Sequence, residues 1–589
     1  KTSQNNITER KRKTYFGMLI HSLKCSLFPI LTALIALSLT ISCLTQVIST
    51  PDGGGGGTCD AYGCEAESVY ARFSENTDEW VMPNALFESN LEEVSNAILE
   101  IAYGNIPTWL DGTLYRVGPG LYELGNRRVN NMVDALSKVH RWSFGKNGEA
   151  TFTSSFLKSS IYNRTRDSEE LVAIRHLGQM HPPASKMEKL KIMFYDSLPD
   201  NNNIAAWELG KSGVTITAES HVYIDVDYRS LNFQKKYSAK SDNTGMFESE
   251  FLSASHFWRH PSSGDSINYK IVIPLDKGIL SKNEGPAYHL YRYKENSEGD
   301  IDAKFVGRVP IENGDFRVVH TLGATENYIV LPRFSLFVDF NDPVDLGQNI
   351  KFSSSKPVFM DVVSLKDGSR KQFTFDAHES QHIFNSFERY NDNNELEIVV
   401  DYPTLDSVDN VPDKNIFELL NIETLTNPDY RYAEHWEAYT RFRIRRFILN
   451  MDTGAGRIYD YPQMWFPKNL QVEFPYINDA YRGLPYCFVY LQTWHHDTHN
   501  AMGIMKVDMC RETSIGWQEV NKFPVEPVFA ARPDGTDEDD GIIMSPVLDS
   551  TNNSTSLYIW DAKNLEVLTI LSTPITVPFT LHGVWINGV

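Results

Sequence analysis

The chain has 589 residues, 41% of them hydrophobic and 12% aromatic, enough to bury a large core. Its formal net charge of −21 excludes nucleic acid as a natural partner, because phosphates need a basic footprint. Length alone allows three or four domains or one long propeller.

The N-terminus stands apart. Arg10-Lys11-Arg12-Lys13 and then Lys24 precede a stretch with no charged residue until Asp52. About 25 residues of this kind can span a bilayer. Residues 1–25 read as a basic tail, 26–50 as a transmembrane or signal segment, 51–64 as a tether around Gly53–Gly57, and 65–589 as the folded domain. The basic flank belongs in the cytosol, which places the domain in a lumen or outside the cell, held at the membrane. A signal peptide, giving a secreted protein, is the alternative, and a cytosolic monotopic protein is another.

Six cysteines occur. Cys59 and Cys64 are close enough for a small disulfide loop if the domain is exported, whereas Cys487 and Cys510 lie apart in strand-like sequence. No CxxC pair or Cys/His zinc spacing exists. Asn163-Arg164-Thr165 and Asn553-Ser554-Thr555 fit glycosylation sequons.

From about Glu65 onward the chain reads as strands. TLYRVGPG, VHRWSFG, ATFTSSFL, VTITAESHVYIDVD, INYKIVIP, NYIVLPRFSLFVDF, FMDVVSL, LEIVVDYP, RFRIRRFILN, YCFVYLQTW, GIIMSPVLD and SLYIWDA are apolar or alternating runs. Turn clusters such as KNGE, SSGD, LKDGS and YNDNN separate them. Helices are expected only near SNLEEVSNAILEI and KNIFELLNIETL. Many short strands imply a sandwich, barrel or propeller.

Four histidines stand at the edges of such runs: His256 in SASHFWRHP, His320 in FRVVHTLGATENYIV, His382 in SQHIFNSFE and His582 in VPFTLHGVWI. Imidazole suits iron, copper, zinc and nickel, so four converging from separate strands would form a metal cage. The first three are spaced by about 60 residues, close to the longer propeller-blade repeats. A rival metal motif is TWHHDTHN, where His495, His496 and His499 could hold zinc, although Asp497 stands where a metalloprotease would carry Glu on a helix.

Several blocks of residues 70–589 resemble the carotenoid cleavage oxygenases, in particular the animal beta-carotene oxygenases and the retinal pigment epithelium retinoid isomerohydrolase. They are IPTWLDGTLYRVGPGLYELG, VHRWSFGKNGEATFTSSFLKSSIYNR, HTLGATENYIVL, HIFNSFERYNDNNELEIVVD, VEFPYIN, FPVEPVFAARPDGTDEDDGIIMSPVLD and PFTLHG, in the family's order. Val117 departs from the pattern, which commonly has Asn there.

The resemblance implies an all-β, seven-bladed propeller with a few helices capping the tunnel side. Its axis would hold one Fe(II) per chain on His256, His320, His382 and His582, with His260 the alternative to His256 because the family usually has a His-Pro pair. It further implies three carboxylates, Glu219, Glu473 and Glu526, each accepting a hydrogen bond from the outer nitrogen of a ligand and so fixing its tautomer and orientation. Four ligands on an octahedral ion leave two positions for O2 or water. The activity implied is a dioxygenase that splits a double bond of a carotenoid or apocarotenoid into two carbonyl fragments, with membrane lipid as a further partner. A retinoid ester isomerohydrolase and a non-catalytic, membrane-anchored carotenoid-binding propeller are the competing readings.

Overall fold

A computed structural model describes residues 80–588 except 147, 175–176, 179, 196–199, 243–247, 251, 275–284, 340–346, 406–419, 427–442, 463–469 and 496–497. The basic tail, the uncharged stretch, the glycine tether, Cys59 and Cys64 lie outside the described residues.

Seven sheets, antiparallel except where Lys240–Ser241 pairs in parallel with Ile301–Pro310, form the blades of a propeller. Blade 1 contains, from the axis outward, His582–Asn587, Gly112–Leu121, Leu136–Phe144, Ala150–Phe156 and Val94–Ile98. The inner strands of blades 2 to 6 are Ala205–Trp207, Trp258–Arg259, Gly323–Ala324, Asn385–Tyr390 and Leu470–Tyr476, and that of blade 7 is Val528–Ala531.

Two exchanges close the ring. The C-terminal His582–Asn587 pairs with Gly112–Leu121, setting Val117 opposite His582. The N-terminal Glu100–Gly104 pairs with Val567–Ser572 at the rim of blade 7. Both chain ends are therefore tied into sheets that the other end builds, and the ring is closed by pairing rather than by an open edge.

The burial pattern follows position in the blade. Gly112–Leu121 is buried at all ten positions because neighbouring blades cover both its faces, which is why it reads as an unbroken run rather than an alternating one. Trp142 and Trp560 are closed to solvent within one core cluster, and removing either ring would cost about 3–5 kcal/mol. The outermost Glu100–Gly104 is exposed throughout.

Two helix expectations meet different outcomes. SNLEEVSNAILEI forms two rim strands, Val94–Ile98 and Glu100–Gly104, because each finds an open sheet edge to pair with. KNIFELLNIETL ends in a short helix, Ile422–Thr426, its first part lying outside the described residues. Two further helices, α1 (Ser160–Ser168) and α2 (Lys186–Tyr195), carry no clear sequence signal; Ile422–Thr426 is α3. Ser159 caps α1 by accepting from the Tyr162 N–H.

Cys487 and Cys510, which lie apart in the sequence, are joined by a disulfide with a Cα–Cα distance of 5.1 Å. Pairing of Phe488 with Asp508 in blade 6 brings them together.

Candidate metal centre

Each blade sends one side chain towards the axis. Blades 1, 3, 4 and 5 provide His582, His256, His320 and His382, each at or just before the start of the inner strand. Blades 2, 6 and 7 provide Glu219, Glu473 and Glu526. One ligand atom from each histidine lies within 4.8 Å of those of the other three. All seven side chains expected from the sequence are thus brought together.

Three carboxylates fix three imidazoles. His382 Nδ1 lies 2.5 Å from Glu473 Oε2, His582 Nδ1 lies 2.7 Å from Glu526 Oε1, and His320 Nδ1 bonds Glu219 Oε1. A carboxylate in contact with Nδ1 places the proton there and leaves the Nε2 lone pair free. The Nε2 atoms of His320 and His382 stand 3.1 Å apart. Two ligands at right angles with bonds of about 2.1 Å would be about 3 Å apart, so this spacing suits a metal between them.

The four rings are not evenly spaced. Five of the six ring-to-ring distances fall between 4.2 and 5.1 Å, and the sixth, His320–His582, is 6.3 Å. The rings of His320 and His582 are thus the most widely separated pair, with His256 and His382 each close to both.

Burial drives the imidazoles of His256, His320 and His582 well below the ordinary histidine range, and repulsion from the neighbouring histidines adds to it. Such rings are neutral and ready to ligate. Burial likewise raises Glu219 well above the usual carboxylate range and pushes Glu526 up to about 7. Glu219 Oε2, Glu473 Oε1 and His256 Nε2 have no hydrogen-bond partner among the described residues. A divalent cation supplies both the counter-charge these carboxylates lack and the partner for His256, so the residues present fit a metal.

The His256 and His260 alternatives separate cleanly. His260 Nε2 donates to Glu326 O at 2.9 Å and its Nδ1 accepts from the Ser263 N–H at 3.2 Å, which occupies both nitrogens away from the axis. His256 packs against the other three rings, and no carboxylate among the described residues braces it. His495 and His499 stand on the hairpin between Phe488–His495 and Thr498–Asp508, and the side chains of this motif lie outside the described residues.

Several supporting residues escape sequence reading. Ser255 donates to Glu219 Oε1 at 3.0 Å. Phe474 adopts a φ of +52°, turning its N–H onto the Glu473 carboxylate while its ring packs on His382 and His582. A left-handed non-glycine residue is costly, and here it sits beside the functional carboxylate. Gly583 must lack a side chain, because a Cβ there would lie 2.5 Å from Tyr115 O. Arg116, fully buried, donates to Glu526 Oε2 at 2.8 Å and to the carbonyls of Thr580 and Leu581. A charged residue in the apolar run TLYRVGPG was its only signal.

Beside the centre lies a cavity of about 80 Å³ lined by His256, His382, His582, Trp258, Tyr476 and Arg482, among others.

A seven-bladed propeller closing on four imidazoles, three of them braced by carboxylates, presents a site that could hold one metal ion. The chain belongs to the family described as retinal pigment epithelial membrane protein, whose sequence profile matches residues 87–587. It is 23% identical over 550 residues to rat beta,beta-carotene 15,15'-dioxygenase, covering 85% of this chain and 91% of that one. It is 26% identical over 527 residues to the carotenoid isomerooxygenase of Galleria mellonella, covering 84% and 94%. Among solved structures, a mutant of Synechocystis apocarotenoid oxygenase superposes with a TM-score of 0.69 at 20% identity, covering 86% of this chain and 99% of the other. A cobalt-substituted form of that enzyme superposes with a TM-score of 0.68 at 21% identity, covering 85% and 98%.

Proposed function

We propose that this chain is an Fe(II)-dependent dioxygenase that cleaves a double bond of a carotenoid or apocarotenoid with O2, giving two carbonyl fragments. The observation that carries this reading is the convergence of four imidazoles at the propeller axis, three of them braced by carboxylates. The names of the relatives, carotene dioxygenase and carotenoid isomerooxygenase, agree with it.

Ferrous iron held by His256, His320, His382 and His582 would supply a site at which O2 is activated beside the polyene. The protein's own part is positional. Glu219, Glu473 and Glu526 hold Nδ1 protons so that Nε2 faces the axis. Phe474 and the closely packed rings keep bulk water from the centre. No buried serine or cysteine nucleophile is required. The axial cavity opens beside His256, His382 and His582, where reactants would meet the ion. Membrane attachment is proposed through residues 26–50; among the described residues no helix is long and apolar enough to cross a membrane.

The test is anaerobic purification with iron analysis, then incubation with beta-carotene and with apocarotenals under O2. About one iron per chain and two carbonyl products are expected, both lost in His320→Ala. Turnover without iron overturns the proposal, and so does conversion of a retinoid ester to an isomerised alcohol and a fatty acid without O2.

A further inference from the structure

We infer that the propeller domain matures in an oxidising lumenal or extracellular compartment, with Cys487–Cys510 as a structural disulfide and Asn163 and Asn553 as N-glycan acceptors. This deepens the membrane orientation proposed above.

Residues 65–589 contain two cysteines, separated by 23 positions. Two arbitrary positions of a propeller this large rarely meet, yet these lie at a Cα–Cα distance of 5.1 Å, within the span of a disulfide. They flank the hairpin Phe488–Asp508 at its open end, where the Met509 N–H donates to Cys487 O at 2.7 Å. The Cys487 N–H is held by Glu538 Oε2 at 2.8 Å, so the position of the cysteine is fixed by partners other than its own sulfur. Cys510 is exposed, so as a free thiol it would stand open to oxidants. Bonds of this kind persist in exported proteins and are rare in the reducing cytosol.

The sequons give independent support. Asn163 and Asn553 are exposed, one on α1 and the other at the turn leading into Ser554–Asp561. Their hydroxyl partners Thr165 and Thr555 are buried and accept backbone N–H groups, Thr555 Oγ1 from Val577 at 2.9 Å. Both asparagines are exposed, Asn163 with its Nδ2 donating to Lys158 O at 3.4 Å. The sequence adds a basic flank before an uncharged stretch, the polarity that sends the downstream chain across a membrane. The metal centre is compatible with such a compartment, since its donors are imidazoles braced by carboxylates and none is a thiolate.

The chemistry balances with lumenal reagents. The two thiols lose two electrons and two protons to the disulfide of a dithiol–disulfide oxidoreductase, which is reduced to its dithiol. In glycosylation the asparagine Nδ2 forms a bond to the anomeric carbon of a lipid-diphosphate-linked sugar, the lipid diphosphate leaves, and the amide proton passes to a base.

The experiment expresses the full chain in insect cells, alkylates free thiols before any reduction, and maps peptides by mass spectrometry beside peptide-N-glycosidase treatment. A linked Cys487–Cys510 peptide and a glycosidase-sensitive mobility shift are expected. That shift should lose one part in Asn163→Gln and the other in the double variant Asn552→Gln/Asn553→Gln, since Asn552-Asn553-Ser554 is also a sequon. Both thiols alkylated before reduction, zinc held between them, or no glycosidase shift overturns the inference. Carbonate extraction separates it from the anchor: a glycosylated chain released by carbonate keeps this inference and fails the anchor.

Discussion

Arg116 Nη1 donates to Glu526 Oε2 at 2.8 Å, from a position fully closed to solvent. The other oxygen of that carboxylate takes the Nδ1 proton of His582, so a guanidinium two steps from the axis helps to orient an axial imidazole. Leaving one partner of a buried ion pair alone costs about 3–5 kcal/mol. Arg116→Met is therefore expected to destabilise the fold by about that amount and to lower metal content. Arg116→Met/Glu526→Gln, which leaves no unpaired charge, should recover part of the stability. Denaturant unfolding of all four members of the cycle measures the coupling, and additive effects would show that the two groups act independently.

The four axial histidines are not equivalent. His320, His382 and His582 are oriented by carboxylates, and His256 is held by packing against its neighbours. Alanine at any of the first three should abolish metal retention on dialysis, whereas His256→Ala should keep a weak site. Glu473→Gln should lower metal affinity or activity by about 10–100-fold, because an amide can hold the ring but offers no charge. Metal per chain after equilibrium dialysis checks the series. Equal loss in all four histidine variants would show that the carboxylates do not rank the ligands.

The ring closes through strand exchange between the two chain ends. Chelation should therefore abolish activity while leaving the far-ultraviolet circular dichroism of a β protein unchanged. The midpoint of unfolding should fall, since a ligand at 100 times its Kd adds about 2.7 kcal/mol to the folded state. Ferrous iron added anaerobically should restore both activity and midpoint. Global unfolding on chelation would make the ion a structural element.

How much the sequence discloses depends on how local the determining contact is. His320, His382 and His582 are legible because each stands beside an apolar inner strand within a characteristic block. Choosing His256 over His260 needs three dimensions, since only the fold shows His260 bonded to Glu326 and Ser263. The Cys487–Cys510 pairing depends on blade 6 register, which no spacing rule encodes. In SNLEEVSNAILEI the apolar residues recur at helical intervals, yet Ile98 is 75% and Ile101 44% exposed on rim strands. There the open edges of Ala150–Phe156 and Val567–Ser572 outweigh intrinsic propensity.

A last prediction concerns acid stability away from the metal. Arg127 grips Glu188 of α2 through two bonds, of 2.6 and 2.9 Å, and Ser185 adds its hydroxyl at 2.7 Å. The hydrogen bond from Arg127, ahead of the other contacts, holds the Glu188 carboxyl down at about 2 against an ordinary 4.5. A carboxylate whose folded pKa is depressed binds fewer protons folded than unfolded. Its contribution to stability is thus complete above about pH 4.5 and is lost as the pH falls towards 2. Because both groups are partly solvated, the gain is a fraction of the full linkage value. Glu188→Gln should flatten that part of the stability–pH curve and leave stability between pH 6 and 8 lowered only slightly. Urea unfolding between pH 2.5 and 7 provides the measurement, and parallel curves for the two proteins would show that the pair is not coupled to folding.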